Sequence, residues 1–511
     1  MTTTFETIQT QKTSQVLSWL VFLCAGGTLF LAPLIRGGNR HIALVVLLAL
    51  GLIVAAALLA HASYQWLAAD RVTRSGIPKL SITDIRHESS TVTSGGFWWM
   101  LVMLVVLSPI WVSAVQLVPI GNETWSNLAG RASYLTALAS AEVPVPNALP
   151  ISLVPSATWA ALWATVPVSA VFVAALLLGQ RDVEKLLLLL FFAAGIQAIL
   201  GLLQLIQGPK SAFYFESAFS GIIGSFNNRN HLADFLAMLI PPWFYFLMIF
   251  LKKKKNSRES KRSNLSSATP LWFFGGFAML VMILLTRSRG GLIAVTSVLF
   301  LTILFYIATQ GKNFKLIHKL SVVVVFLLFS IFALMAVDTD TLAQRWEGQQ
   351  FKTDAEIRNA YALATLNGAR TFWPWGSGMG TFEAVFPRFQ PLQTPGYVPH
   401  AHNDYAQMLM ELGAAAPVIL TAAAILVGWQ ILVLWRAAKR RRGTTTEISL
   451  RVFSGLGALA LLIHSWVEFN MHIPALAITA AFLAGIFLRP LSSHVESRSK
   501  ATGTPSSVST A

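Results

Sequence analysis

Apolar stretches of about 20 residues recur along this 511-residue chain, each long enough to cross roughly 30 Å of hydrocarbon at ~1.5 Å per helical residue. No soluble domain buries that many such stretches, and the composition agrees: 55% of residues are hydrophobic, only 12% charged. The expected fold is an all-α polytopic membrane protein with about 12 transmembrane helices. The predicted spans are 17–35, 41–61, 97–118, 157–179, 184–206, 230–251, 270–286, 290–308, 319–337, 412–435, 450–468 and 473–489. No fixed-period repeat and no heptad pattern runs through them.

A formal net charge of +16 would fit nucleic acid in a soluble protein; in a membrane protein it first reports orientation, because cytoplasmic loops retain Lys and Arg. With "LKKKKNSRESKRSN" (251–264) and "RAAKRRRG" (436–443) inside, alternating the spans puts both termini in the cytoplasm and nearly all the excess positive charge on that side. Nucleic acid is therefore not an expected partner, and membrane lipid is. The single Cys24 excludes an intramolecular disulfide. The first span reads as a retained helix rather than a cleaved signal, and the Ser/Thr-rich end, 491–511, as a disordered cytoplasmic tail.

On this topology the long loop 338–411 lies outside. Its segment "TDAEIRNAYALATLNGAR" (353–370) has the acidic start and terminal Gly of a helix. "TFWPWGSGMGTF" (371–382) then breaks helical structure with one Pro and three Gly. The loop is thus expected to be folded and partly helical.

Four polar clusters interrupt the apolar sequence: "GSFNNRNHLAD" (224–234), "TRSRGGL" (286–292), the loop segment with Arg358 and "PHAHNDY" (399–405), and "HSWVEFNMH" (464–472). All four fall on the same outer face, although the charge assignment did not require it. Ionisable groups near bilayer depth are costly, so their clustering on one side predicts a shared site. Arg229, Arg287, Arg289 and Arg358 suit a lipid-linked phosphate or diphosphate, which guanidinium groups grip bidentately. The alternative is that they snorkel to headgroups or pair with Glu216, Asp234 or Glu356. An imidazole from His400 or His402, with an unperturbed pKa of ~6.5, is a natural general base for a sugar hydroxyl; local hydrogen bonding is the plainer role.

Asp404 or Glu411 could orient that base, and Asn403 and Tyr405 could hydrogen-bond a sugar; Asn230 completes the supporting polar set. Glu468 reads as a structural ion-pair partner at a helix end rather than a catalytic group. The two histidines lack a third ligand at recognisable spacing, so neither a metal site nor a cofactor is expected.

In order, "GSFNNRNHLADFLAM", "TRSRGGLIA" and "PHAHNDYAQMLMELG", with a long outer loop between the last two, resemble the O-antigen ligase and polymerase family of bacterial envelope glycan assembly. "APLIRGGNRHIALV" (32–45) is similar to many of its members as well. The motif-bearing part corresponds to a ligase-like transmembrane core, 191–490, including the periplasmic loop 338–411; helices in 1–190 match mainly in hydropathy. The resemblance implies a metal-independent glycosyltransferase of the bacterial inner membrane, its site facing the periplasm. Its donor would be an undecaprenyl-diphosphate-linked glycan, its acceptor a lipid A core sugar (ligase) or another glycan repeat unit (polymerase).

By the same resemblance, Arg287 or Arg289 and Arg358 would bind the diphosphate, and His402, with His400 in reserve, would activate the acceptor. Arg229 occupies a position where family members commonly carry another residue. A secondary transporter is the competing class. Transporters bind at mid-membrane through broken helices and internal repeats, whereas here the polar clusters gather at one face.

Overall fold

The computed structural model describes residues 2–74, 96–214, 221–257, 269–309, 349–392, 394, 396–440 and 444–491. Its helices are α1 (Thr2–Leu34), α2 (His41–Arg74), α3 (Gly96–Val106), α4 (Ser108–Gln116), α5 (Asn122–Asn127), α6 (Ala132–Ser140), α7 (Pro155–Leu177) and α8 (Gln180–Gln207). They continue with α9 (Arg229–Ser257), α10 (Thr269–Leu285), α11 (Arg289–Thr309), α12 (Gln349–Thr371), α13 (Phe382–Val385), α14 (Asp404–Leu412), α15 (Ala415–Arg440), α16 (Thr446–His464) and α17 (Pro474–Leu488). A small antiparallel hairpin pairs β1 (Pro119–Gly121) with β2 (Ala148–Pro150).

Among the described residues, 8 helices are long and apolar enough to cross a membrane, or up to 9 if the pair α3 and α4, bent by 56°, forms one span. Two further expected spans appear as shorter apolar helices, Phe273–Leu285 and Pro474–Leu488. The expected span at 319–337 lies outside the described residues, as do Glu216 and the tail from 492. The long loop is described from 349 onward, and the helix expected at 353–370 is there as α12.

Helix α9 is the centre of the bundle. Residues 231–242 are all buried, because α9 packs against α10, α11, α16 and α17; apart from His231 and Asp234 the segment is apolar all round, as a central helix is. Lipid supplies little hydrophobic drive between helices, so close backbone approach matters, and glycine permits it. At Gly457 in α16 a Cβ would stand 2.4 Å from the Met238 carbonyl oxygen of α9.

At one end of this bundle, α12 to α14 and the segment around β1 and β2 form a cap with its own core of Phe372, Phe382, Phe386 and Met410. The fully buried Arg131 fastens the two parts of this cap. Its guanidinium donates to the carbonyls of Ala129 (3.1 Å), Ile151 (2.6 Å) and Gly376 (2.8 Å). Burial lowers its pKa to about 10, so it remains a cation at neutral pH.

Candidate active site

The four polar clusters, far apart in sequence, come to the capped end of the bundle; residues of three of them, Asn230, Arg358 with His402, and Glu468 itself, meet at the Glu468 carboxylate. Glu468 lies in the turn between α16 and α17 and is completely buried. One carboxylate oxygen, Oε1, stands 2.7 Å from Nδ1 of His402. The other, Oε2, accepts from Arg358 Nη1 at 3.1 Å and from the amide of Asn230. Burial alone would push this carboxyl upward; the His402 hydrogen bond and the charges of Arg358, His402 and His231 outweigh it and hold its pKa well below the usual carboxylate range. Glu468 is thus a fixed anion shared by an imidazole, a guanidinium and an amide.

His402 is held on several sides. Its backbone is left-handed, with φ 51°, a conformation that costs an L-residue on the order of 1–3 kcal/mol and persists only where its surroundings impose it. Its ring lies edge-on to Phe469 (5.0 Å, 78°) and near-parallel to Tyr361 (6.4 Å, 24°). With Nδ1 committed to Glu468, Nε2 is the nitrogen left for a further partner, and the side chain is 21% exposed. A carboxylate on Nδ1 fixes the tautomer and makes Nε2 the proton acceptor.

The following helix is set by the same segment. Asn403 is the N-cap of α14, its side chain accepting from Ala406 N at 3.0 Å, as Asn does at helix starts. The Tyr405 hydroxyl donates to the Leu462 carbonyl at 2.7 Å. The carboxylate beside His402 is Glu468, not Asp404 or Glu411. Asp404, also completely buried, pairs with His472 Nδ1 at 2.8 Å and accepts from Met471 N. Glu411 accepts from the backbone of Gly380 and Phe382 and from Gln407, and so shapes the Gly-rich turn of the cap. Burial raises its pKa, against those hydrogen bonds.

His400 takes a different place from His402. Its ring stacks on Phe469 at 4.5 Å and tilts toward His472 at 4.8 Å, and its Nδ1 is buried without a hydrogen bond. Burial is the largest cause that lowers its pKa, to about 3. It is a neutral packing group at physiological pH.

The "RSRGG" turn joins α10 to α11 behind this centre. Ser288 Oγ accepts from Gly291 N at 3.1 Å, and Arg287 sits at φ 54°. A Cβ on Gly290 would stand 2.4 Å from Nε2 of His464, and one on Gly291 2.5 Å from Cβ of Ala233. The paired glycines therefore let the start of α11 press against α16 and α9. There the buried His464 faces Asp234 across 3.4 Å. Arg229, Arg287 and Arg289 are exposed at the same end of the bundle; Arg358 is the arginine hydrogen-bonded to Glu468, and it also donates to the Val467 carbonyl at 2.9 Å. Among the described residues, no group of three His, Cys, Asp or Glu side chains could hold a metal ion.

Glu468 is the functional candidate that sequence reasoning assigned to structure alone. Its signal was present: a carboxylate flanked by two histidines within nine residues, at the end of an apolar span.

Fold and site together define a multi-pass α-helical membrane protein with a polar centre at one end, in which a buried carboxylate holds an imidazole and a guanidinium. Residues 274–421 match the family model described as O-antigen ligase. The matched segment contains Arg287, Arg289, Arg358, His400, His402 and Glu411; Asn230 and Glu468 lie outside it. No curated protein matches the chain significantly.

Proposed function

We propose that this protein is a glycosyltransferase of the bacterial inner membrane that moves a glycan from an undecaprenyl-diphosphate carrier to an acceptor sugar, as an O-antigen ligase does. The observation that carries the reading is His402, bound through Nδ1 to the buried Glu468 with Nε2 left to act, while Arg358 grips the same carboxylate. A transporter requires no oriented imidazole beside a guanidinium.

In the proposed reaction, Nε2 of His402 takes the proton of the acceptor hydroxyl as its oxygen attacks the anomeric carbon. The bond from that carbon to the diphosphate oxygen breaks, and the diphosphate leaves with the electron pair. Buried Glu468 stabilises the imidazolium formed, as the carboxylate of a catalytic triad does. Arg358, with Arg287, Arg289 and Arg229, neutralises the departing charge. The single displacement inverts the anomeric configuration. No metal is needed, because the arginines take over the charge and diphosphate is already a good leaving group. Asn403, Tyr405 and Asn230 support the site through their bonds to Ala406, Leu462 and Glu468, with both termini cytoplasmic and the site in the periplasm.

The test is transfer by the purified full chain in lipid, with a polyprenyl-diphosphate glycan as donor, EDTA present, and lipid A core or the glycan itself as acceptor. Product on the core defines a ligase, and lengthened glycan a polymerase of the same family. His402→Ala is expected to lose at least ~10²-fold in rate while remaining folded; wild-type transfer by that variant overturns the base assignment. No product with either acceptor, from folded protein and a matched donor, overturns the proposed activity.

A further inference from the structure

Hydrogen-bond accounting around the buried Gln407 fixes more than its own orientation. The peptide N–H of Ala401 lies 3.1 Å from Oε1 of Gln407. A peptide N–H can only donate, so the carbonyl end of the side-chain amide faces Ala401 and the NH2 end faces away. That nitrogen donates to Oε1 of Glu411 at 3.1 Å and stands 3.0 Å from Nε2 of His472.

An amide nitrogen accepts nothing, so Nε2 of His472 must be the acceptor and its proton must reside on Nδ1, where Oδ1 of Asp404 receives it at 2.8 Å. Asp404 and Glu411 draw a second proton toward this ring against its burial. Gln407 opposes them, because an imidazolium would set one donor against another. The four side chains Asp404, His472, Gln407 and Glu411 thus form one chain in which each group fixes the next.

Its output is the turn that carries His402. The backbone N–H of Gln407 donates to the carbonyl of Asn403 at 3.1 Å, while its side chain holds Ala401. Residues on both sides of His402 are therefore tied to one glutamine, and the left-handed residue between them has little freedom to relax. We infer that Gln407 is a positioning residue for His402: locked by His472 and Glu411, its carbonyl oxygen holds Ala401 so that the strained His402 backbone keeps Nδ1 on Glu468. The inference rests on the reading of His402 as the general base.

A displacement of about 1 Å in a catalytic group can cost ~10²-fold in rate. Gln407→Met, which keeps the side-chain length and removes both polar ends, is expected to lower kcat by about 10- to 100-fold with KM for donor and acceptor little changed. His472→Gln, which releases the lock on the amide but leaves Gln407 in place, should show the same signature at smaller size and serves if Gln407→Met does not fold.

In a His402→Ala background Gln407→Met should cost nothing further, since it acts through the missing imidazole. The measurements are steady-state transfer kinetics per folded protein in lipid for the single variants and for the double variant. Wild-type kcat in both Gln407→Met and His472→Gln, beside an inactive His402→Ala, overturns this inference alone. An equal fold-loss from Gln407→Met with and without His402 does so too, since that is the mark of a merely structural role. Normal transfer by His402→Ala would instead overturn the base assignment.

Discussion

Nδ1 of His402 and Oε1 of Glu468 are 2.7 Å apart although 66 residues separate them in the chain, and the carboxylate is completely buried while the imidazole reaches the surface. Such a pair keeps the base in one tautomer and supplies a counter-charge at the moment it takes up a proton. Glu468→Gln keeps the shape and loses the charge. It is expected to lower transfer by about 10²-fold or more, given the ~10⁴-fold loss when a triad carboxylate becomes an amide. Transfer assays on folded variant in lipid check this, and an unchanged rate would return Glu468 to a structural role.

Arg358 places one nitrogen between the Val467 carbonyl and Glu468 and leaves the side chain 38% exposed. Lysine keeps the charge there but cannot span two acceptors and a phosphate at once. Arg358→Lys should lower kcat/KM for the lipid-linked donor about 10-fold, and Arg358→Ala about 100-fold or more, in the range seen when a charge-stabilising donor is removed. Donor titrations at fixed acceptor measure both, and a wild-type alanine variant would exclude Arg358 from donor binding.

Gly290 tests the packing that brings the arginine turn to the site. The methyl of Gly290→Ala would stand 2.4 Å and 2.5 Å from two atoms of the buried His464 ring, so α11 or the ring must shift. Overpacking of this kind costs typically 1–3 kcal/mol, seen as a lower thermal midpoint in detergent. Gly428, where a Cβ would meet nothing within 4 Å, is the control position for alanine. Equal midpoints for the two variants would contradict the close contact.

The lowered pKa of His400, about 3, gives a pH dependence with a definite sign. An unfolded histidine binds its proton near pH ~6.5. Below that pH the unfolded chain takes up a proton that folded His400 refuses, so its contribution to stability is full above pH 6.5 and is lost as pH falls toward 3. His400→Phe keeps a ring stacked on Phe469 and removes the titration. Its thermal midpoint should fall less between pH 7 and pH 5 than that of the unchanged protein; equal falls would show that His400 ionises freely in the fold.

The sequence by itself determined that the chain spans a membrane as helices, because runs of about 20 apolar residues permit no other pairing of their backbone groups. It also determined which residue types a common site would use: arginines, histidines and carboxylates set at the ends of apolar runs, where lone charges are expensive. Partner choice among them was decided only by tertiary structure. Asp404 and Glu411 are the carboxylates nearest His402 in sequence, yet helix α14 turns one toward His472 and the other toward the backbone at Gly380. Glu468 reaches His402 because the turn after α16 is packed beneath the loop that carries His402, and glycines of α11 and α16 let those helices press close to their neighbours α9 and α16. Hydropathy follows the chain one residue at a time, whereas a hydrogen bond depends on where two distant backbones cross.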